Sequence, residues 1–172
     1  MMNIEQNKAC FFTGHRDITQ NEYIFLDKYM QDILLDHYSR GCRYFLCGGA
    51  VGFDQYAANE VIKLRKKLPQ TKLILILPCK DQDKYFSDFQ KKIYRNTLEL
   101  ADEIHYVSDK YYSGCMHKRN RELVMHSDYC ICFLRKNSGG TKYTVDLALK
   151  KGCEITNIKT VMDEGEIYYG KN

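Results

Sequence analysis

The segment Leu73-Ile74-Leu75-Ile76-Leu77 is apolar at every position. A strand with one solvated face alternates apolar and polar residues, so an unbroken run of this kind fits a parallel strand covered on both sides. The run is expected to lie mid-sheet. Similar β-rich stretches recur at Ala9–Thr13, Arg43–Cys47, Glu103–Val107, Tyr129–Leu134 and Cys153–Ile158. Segments of helical period separate them: Leu26, Met30, Ile33 and Leu34 share one helical face, as do Ala57, Val61, Leu64 and Leu68. Further helices are expected over about residues 85–100, over 116–126, and from near Thr141. Gly41 and Gly152 stand where helices should end, directly before strands. After Lys159 no pattern dominates, which fits a short strand or a loose tail.

Strand and helix alternation with right-handed crossovers gives an α/β fold: a single Rossmann-like three-layer domain with a mostly parallel sheet. A chain of 172 residues, 44% of them hydrophobic, supports one such domain, with its core over about residues 9–158. No apolar run is long enough to cross a bilayer, and the first eight residues lack the order of a secretion signal. A cytoplasmic location without a membrane partner is expected. Eight cysteines would suggest disulfides in a small secreted chain, but Cys10, Cys42, Cys47, Cys79, Cys130, Cys132 and Cys153 fall in or beside apolar strands. They read as reduced core residues, and no metal site or cofactor is expected. A net charge of +4, from 26 basic and 22 acidic residues, suits an anionic ligand without requiring nucleic acid.

Three polar loops follow apolar strands: Thr13-Gly14-His15-Arg16, then Gly48-Gly49-Ala50-Val51-Gly52-Phe53-Asp54, then Ser138-Gly139-Gly140-Thr141. In a parallel sheet all three lie at the carboxyl edge, where ligands bind around the switch point of strand order. Free amides at helix starts attract phosphate, and glycine lets a ligand approach the backbone. Each loop alone could be only a turn, a tight corner or a cap; their coincidence implies an anionic ligand. Ser138 and Thr141 are the expected phosphate holders, with Arg16 offering its planar fork and His15 a second donor. Asp54 either accepts ribose hydroxyls or merely complements a helix dipole. Of Lys118, Arg119 and Arg121, Arg119 is the functional candidate. Tyr111-Tyr112-Ser113-Gly114 either stacks a base or is ordinary surface, and Asp109 is a further carboxylate to weigh.

Cys47-Gly48-Gly49-Ala50-Val51-Gly52-Phe53-Asp54 with Ala57 resembles the SGGAxGID loop of the DNA-processing protein A family, and Phe12-Thr13-Gly14-His15-Arg16 its VGSR turn. Gly140-Thr141-Lys142-Tyr143-Thr144-Val145 is similar to that family's GSxxTA element. Met116-His117-Lys118-Arg119 with Ser127-Asp128 resembles the MHxRK…SD stretch of the Lonely Guy phosphoribohydrolases, and Ser138-Gly139-Gly140 their PGG loop. Together these resemble the SLOG superfamily, most of all its small YpsA-like branch. The resemblance implies a Rossmann-like domain that binds nucleotides, ADP-ribose-like signals or DNA, commonly as a homo-oligomer.

Lonely Guy enzymes cleave an N-glycosidic bond with the Arg that Arg119 matches and a Glu in PGGxGTxxE. Equating Gly140-Thr141 with that GT pair puts Thr144 at the Glu position; aligning the two glycines puts Asp146 there, with Lys142 where glycine is needed. The first alignment is favoured, which removes the carboxylate that the glycosidase chemistry needs. Binding of a nucleotide-derived ligand, as a sensor or sequestering protein, is therefore the leading expectation. Nucleotide N-glycosidase activity through Arg119 and Asp146, and DNA binding, are the alternatives.

Overall fold

The computed structural model describes residue 4 and residues 8–164. Strands and helices alternate: β1 (Ala9–Gly14), α1 (Gln20–Ser39), β2 (Tyr44–Cys47), α2 (Phe53–Lys67), β3 (Lys72–Leu77), α3 (Asp88–Leu100), β4 (Glu103–Tyr106), α4 (Cys115–Met125), β5 (Tyr129–Phe133), α5 (Gly140–Lys151), β6 (Glu154–Asn157) and α6 (Ile158–Glu164). A single 3₁₀ turn, Gln82–Tyr85, precedes α3. The expected strands are thus present within a residue or so at each end. The region after Lys159 departs from expectation: α6 continues as a helix to Glu164, and the remainder lies outside the described residues.

All five strand pairings are parallel, in the order β4-β3-β2-β1-β5-β6. The β3 run is buried throughout from Leu73 to Leu77, but it stands second from the sheet edge, with β2 and β1 at the centre. Apolarity on both faces requires only a neighbour on each side and a helix above and below, and an off-centre interior strand has these. Succession runs outward from β1 to β4, then returns to place β5 on the other side of β1. The switch point therefore falls between β1 and β5.

Alternation along the strands divides the core. Cys10, Phe12, Phe45, Leu73 and Leu75 pack with α1, α2 and Tyr94 of α3 on one face. Ala9, Phe11, Leu46, Ile74 and Ile76 pack with Leu123 of α4 and Val145 and Ala148 of α5 on the other. Phe53, at the start of α2, stacks on Phe133 at 5.9 Å and meets Phe12 edge-on at 6.4 Å, closing the core beneath the carboxyl edge. Helix starts are fixed by sequence: Thr19 with Glu22 and Ser87 with Gln90 form reciprocal capping boxes for α1 and α3. All eight cysteines are free thiols and buried, including Cys115 at the start of α4. No described helix is long and apolar enough to cross a membrane.

His37 is 1% exposed, with Nδ1 at 2.9 Å from the Ile33 carbonyl and Nε2 at 3.5 Å from the Thr156 hydroxyl. Burial lowers its pKa from the usual 6.5. The folded state thus holds a neutral imidazole that the unfolded chain protonates below about pH 6.5. Its contribution to stability is complete above that pH and is lost as pH falls towards the lower folded value. The gap in melting temperature between wild type and His37→Phe is expected to narrow as pH falls from about 7.5 to about 5.5 in calorimetry; parallel curves would show that His37 is not held neutral.

Candidate functional site

The β1–α1 turn, the β2–α2 corner and the start of α5 converge at the carboxyl edge around a cavity of about 470 Å³. Thr13, Gly14, His15 and Arg16 line one wall, Ala50 and Asp54 a second, and Gly140 and Thr141 a third, with Arg119 of α4 closing the back. The cavity sits at the switch point, where divergence of the flanking helices opens a crevice.

At the back of the cavity is a buried ion pair. Arg119 is 7% exposed and Asp54 5%, with Nη1 3.8 Å from Oδ2. Arg119 also donates through Nη1 to the Gly48 carbonyl and through Nε to Asn120 Oδ1 at 2.7 Å. Asp54 accepts from the Ala50 amide at 3.4 Å. Burial raises the Asp54 pKa and lowers that of Arg119, while the attraction between them opposes both shifts. Lys118 and Arg121, by contrast, face solvent. Gly48 is required by packing: a Cβ there would lie 1.8 Å from Arg119 Nη1. At Gly52, φ is +83° and a Cβ would meet the Arg16 carbonyl oxygen at 2.3 Å, because the β1–α1 turn lies directly against this corner. Gly14 and Gly49 are similarly crowded, by Phe53 and Leu77.

The opposite wall is organised by Arg135, a residue to which the sequence reading gave no role. The Arg135 amide donates to His15 Nε2 at 3.0 Å, so the ring proton of neutral His15 resides on Nδ1. Burial and the Arg135 charge both lower the His15 pKa. The Arg135 guanidinium pairs with Glu22 at 3.1 Å and with Asp17 at 3.1 Å, and donates to the Asp17 carbonyl at 2.6 Å. Burial pushes the Glu22 pKa up, but the Thr19 amide and hydroxyl and the Arg135 charge outweigh it and hold Glu22 below its usual value. Arg135 lies in the loop that joins β5 to α5. Asn157 grips the residue before it, accepting from the Leu134 amide at 3.1 Å and donating to its carbonyl at 3.3 Å. A polar strand-end loop with an arginine was the only signal available, since its partner is 113 residues away.

The start of α5 is open. Gly139 occupies the cap position with no side-chain hydrogen bond to the helix, and a Cβ built on Gly139 or Gly140 would meet nothing within 4 Å. Thr141 lines the cavity, whereas Ser138 is exposed and does not. Thr144 is fully buried, its hydroxyl donating to the Gly140 carbonyl at 2.8 Å. Asp146 lies away from the cavity, in an ion pair with Lys142. Asp109 pairs with Lys80 at 2.6 Å, also outside it. Arg16 is exposed, lines the cavity and makes no ion pair among the described residues. No cluster of three metal-binding side chains occurs among the described residues.

Parallel strands, a switch-point crevice and an open helix start together define a Rossmann-like α/β protein whose polar cavity lies at the carboxyl edge. The chain belongs to the YspA SLOG family, whose family model matches residues 11–163. Among relatives, the uncharacterized SPbeta prophage-derived protein YoqJ of Bacillus subtilis is 38% identical over 118 residues, covering 62% of this chain and 69% of that protein. A UPF0398 protein of Halalkalibacterium halodurans is 28% identical over 144 residues, covering 82% and 74%. The fold is similar to that of DNA processing protein A from Helicobacter pylori, at a TM-score of 0.63 and 18% identity over 94% of this chain and 74% of that one. The Streptococcus pneumoniae protein gives a TM-score of 0.63 at 15% identity, over 92% and 57%. The SLOG resemblance read from the loops is thereby borne out.

Proposed function

We propose that this protein binds a nucleotide or nucleotide-derived phosphorylated ligand, such as an ADP-ribose-like signal, in the switch-point cavity, and acts by sensing or sequestering it. The observation that carries this reading is the uncapped start of α5 facing a cavity also lined by Arg16 and His15. The unshared amides and dipole of such a helix favour a phosphate, the Thr141 hydroxyl can donate, and Arg16, in no ion pair among the described residues, supplies a charge-assisted partner. His15, neutral with its proton on Nδ1, adds a donor without competing for a proton.

Binding is favoured over turnover by the state of the carboxylates. N-glycoside cleavage needs one free to assist departure of the base. Asp54 is held by Arg119, Asp17 by Arg135, and Asp146 lies outside the cavity. DNA binding is the second reading; one structural relative is described by its single-stranded DNA binding mode. Thermal denaturation with AMP and with ADP-ribose, followed by chromatography of the ligand, separates the three. A stabilised protein with intact ligand is expected, and Arg16→Ala is expected to weaken binding about tenfold or more, as loss of a charge-assisted hydrogen bond does. Released base would establish the enzyme. Binding confined to oligonucleotides, with a steep dependence on salt, would establish the DNA reading.

A further inference from the structure

Past Arg16, Ala50 and Met116, which border both spaces, the cavity continues into a second lobe of about 560 Å³ over the carboxyl end of β3. Its walls differ in chemistry. Tyr85 and Phe86, from the 3₁₀ turn and its end, and Tyr111, from the β4–α4 loop, line it together with Gln82 and Gln90. Lys84 and Asp81 bring one charge of each sign. Away from the shared Arg16 at its mouth, an anion gains little in this lobe, whereas a flat, uncharged ring gains contact area.

Tyr85 is 88% exposed and Tyr111 62%, so neither is retained by core packing. Their loops are nevertheless held together. The Tyr111 amide donates to Asp81 Oδ1 at 3.1 Å, the Lys80 amide donates to the Asp109 carbonyl at 3.3 Å, and the Lys80–Asp109 ion pair reinforces the junction. The floor is fixed by buried Gln82, which donates to the Gly48 carbonyl at 3.0 Å and accepts from the Tyr94 hydroxyl at 3.2 Å. Gln90 has its side-chain oxygen committed to the Ser87 amide, which leaves its amide nitrogen as a donor. Exposed rings on braced loops, beside a free amide donor, form the arrangement that recognises a base by its face and one edge.

We propose that this second lobe receives the nucleobase of a nucleotide whose phosphate occupies the first lobe, with Tyr85 and Tyr111 as the stacking residues. The inference rests on the phosphate reading of the first lobe. It narrows the ligand class to molecules that carry a base and excludes sugar phosphates without one as the preferred ligand.

The test is calorimetric titration of wild type and of the Tyr85→Ala/Tyr111→Ala double variant with AMP, GMP, CMP and UMP, and with ribose 5-phosphate. Both rings are exposed, so the variant is expected to melt as wild type does. At least one nucleotide is expected to bind wild type about tenfold or more tightly than ribose 5-phosphate, and the double variant to lose about that factor for the nucleotide alone, as removal of base stacking does. Tyr85→Phe/Tyr111→Phe should retain nucleotide binding, because the rings remain. Equal affinity for nucleotides and ribose 5-phosphate, or an equal loss of both in the double variant, would overturn the base subsite while leaving the phosphate site intact. Failure of nucleotides and ribose 5-phosphate alike to bind would overturn both.

Discussion

Replacing Arg119 with alanine is expected to lower the free energy of unfolding by about 3–5 kcal/mol, the usual cost of leaving one member of a buried ion pair without its partner. The variant strands Asp54, 5% exposed, and removes the donor that reaches the Gly48 carbonyl. Gly48→Ala should act through the same contact, because its Cβ occupies the space of the guanidinium. The two substitutions are therefore expected to be strongly non-additive: Gly48→Ala should be severe in wild type and add less than about 1 kcal/mol in the Arg119→Ala background. Urea denaturation of the four proteins, compared at constant m-value, measures this. Simple additivity would mean that Arg119 does not fill the Gly48 site.

Gly52→Ala is expected to cost about 2–5 kcal/mol, from backbone strain and overpacking together. At φ +83° an alanine is strained, and the atom it meets at 2.3 Å is a backbone carbonyl oxygen of the β1–α1 turn, which cannot rotate away. Gly139→Ala provides the control. Its φ is +90° and ψ −175°, a conformation that belongs essentially to glycine, but the space around it is open, so only the backbone strain of about 1–3 kcal/mol should appear, without the overpacking. Equal effects at the two positions would show that the turn and the corner are not in close contact.

The strands were legible because most are short apolar runs, and three of them, β1, β2 and β5, are closed by polar, glycine-containing loops that parallel pairing forces to one edge. Position within the sheet was less legible. The all-apolar β3 run reports burial on both faces, which is as true beside an edge strand as at the centre. The two alignments of the α5 loop illustrate another limit. Thr144 and Asp146 are two residues apart, about 200° around a helix, so only one can face inward. The structure turns Thr144 into the core and Asp146 towards Lys142. Long-range partners were not legible: the pairing of Arg119 with Gly48 and of Arg135 with Glu22 spans 71 and 113 residues. Nor did the sequence separate glycines that admit a ligand from those that admit a side chain. Gly48 and Gly52 accommodate Arg119 and the Arg16 backbone, while Gly139 and Gly140 are open.

Amide-resolved NMR titration of the protein with AMP tests the switch-point site most directly. Chemical-shift changes are expected to concentrate at Gly140, Thr141 and Lys142, where the first amides of α5 would meet the phosphate, and to extend to His15, Arg16 and Ala50 across the cavity. Changes absent from the start of α5, or centred on the opposite edge of the sheet, would contradict the placement of the ligand at the β1–β5 switch point.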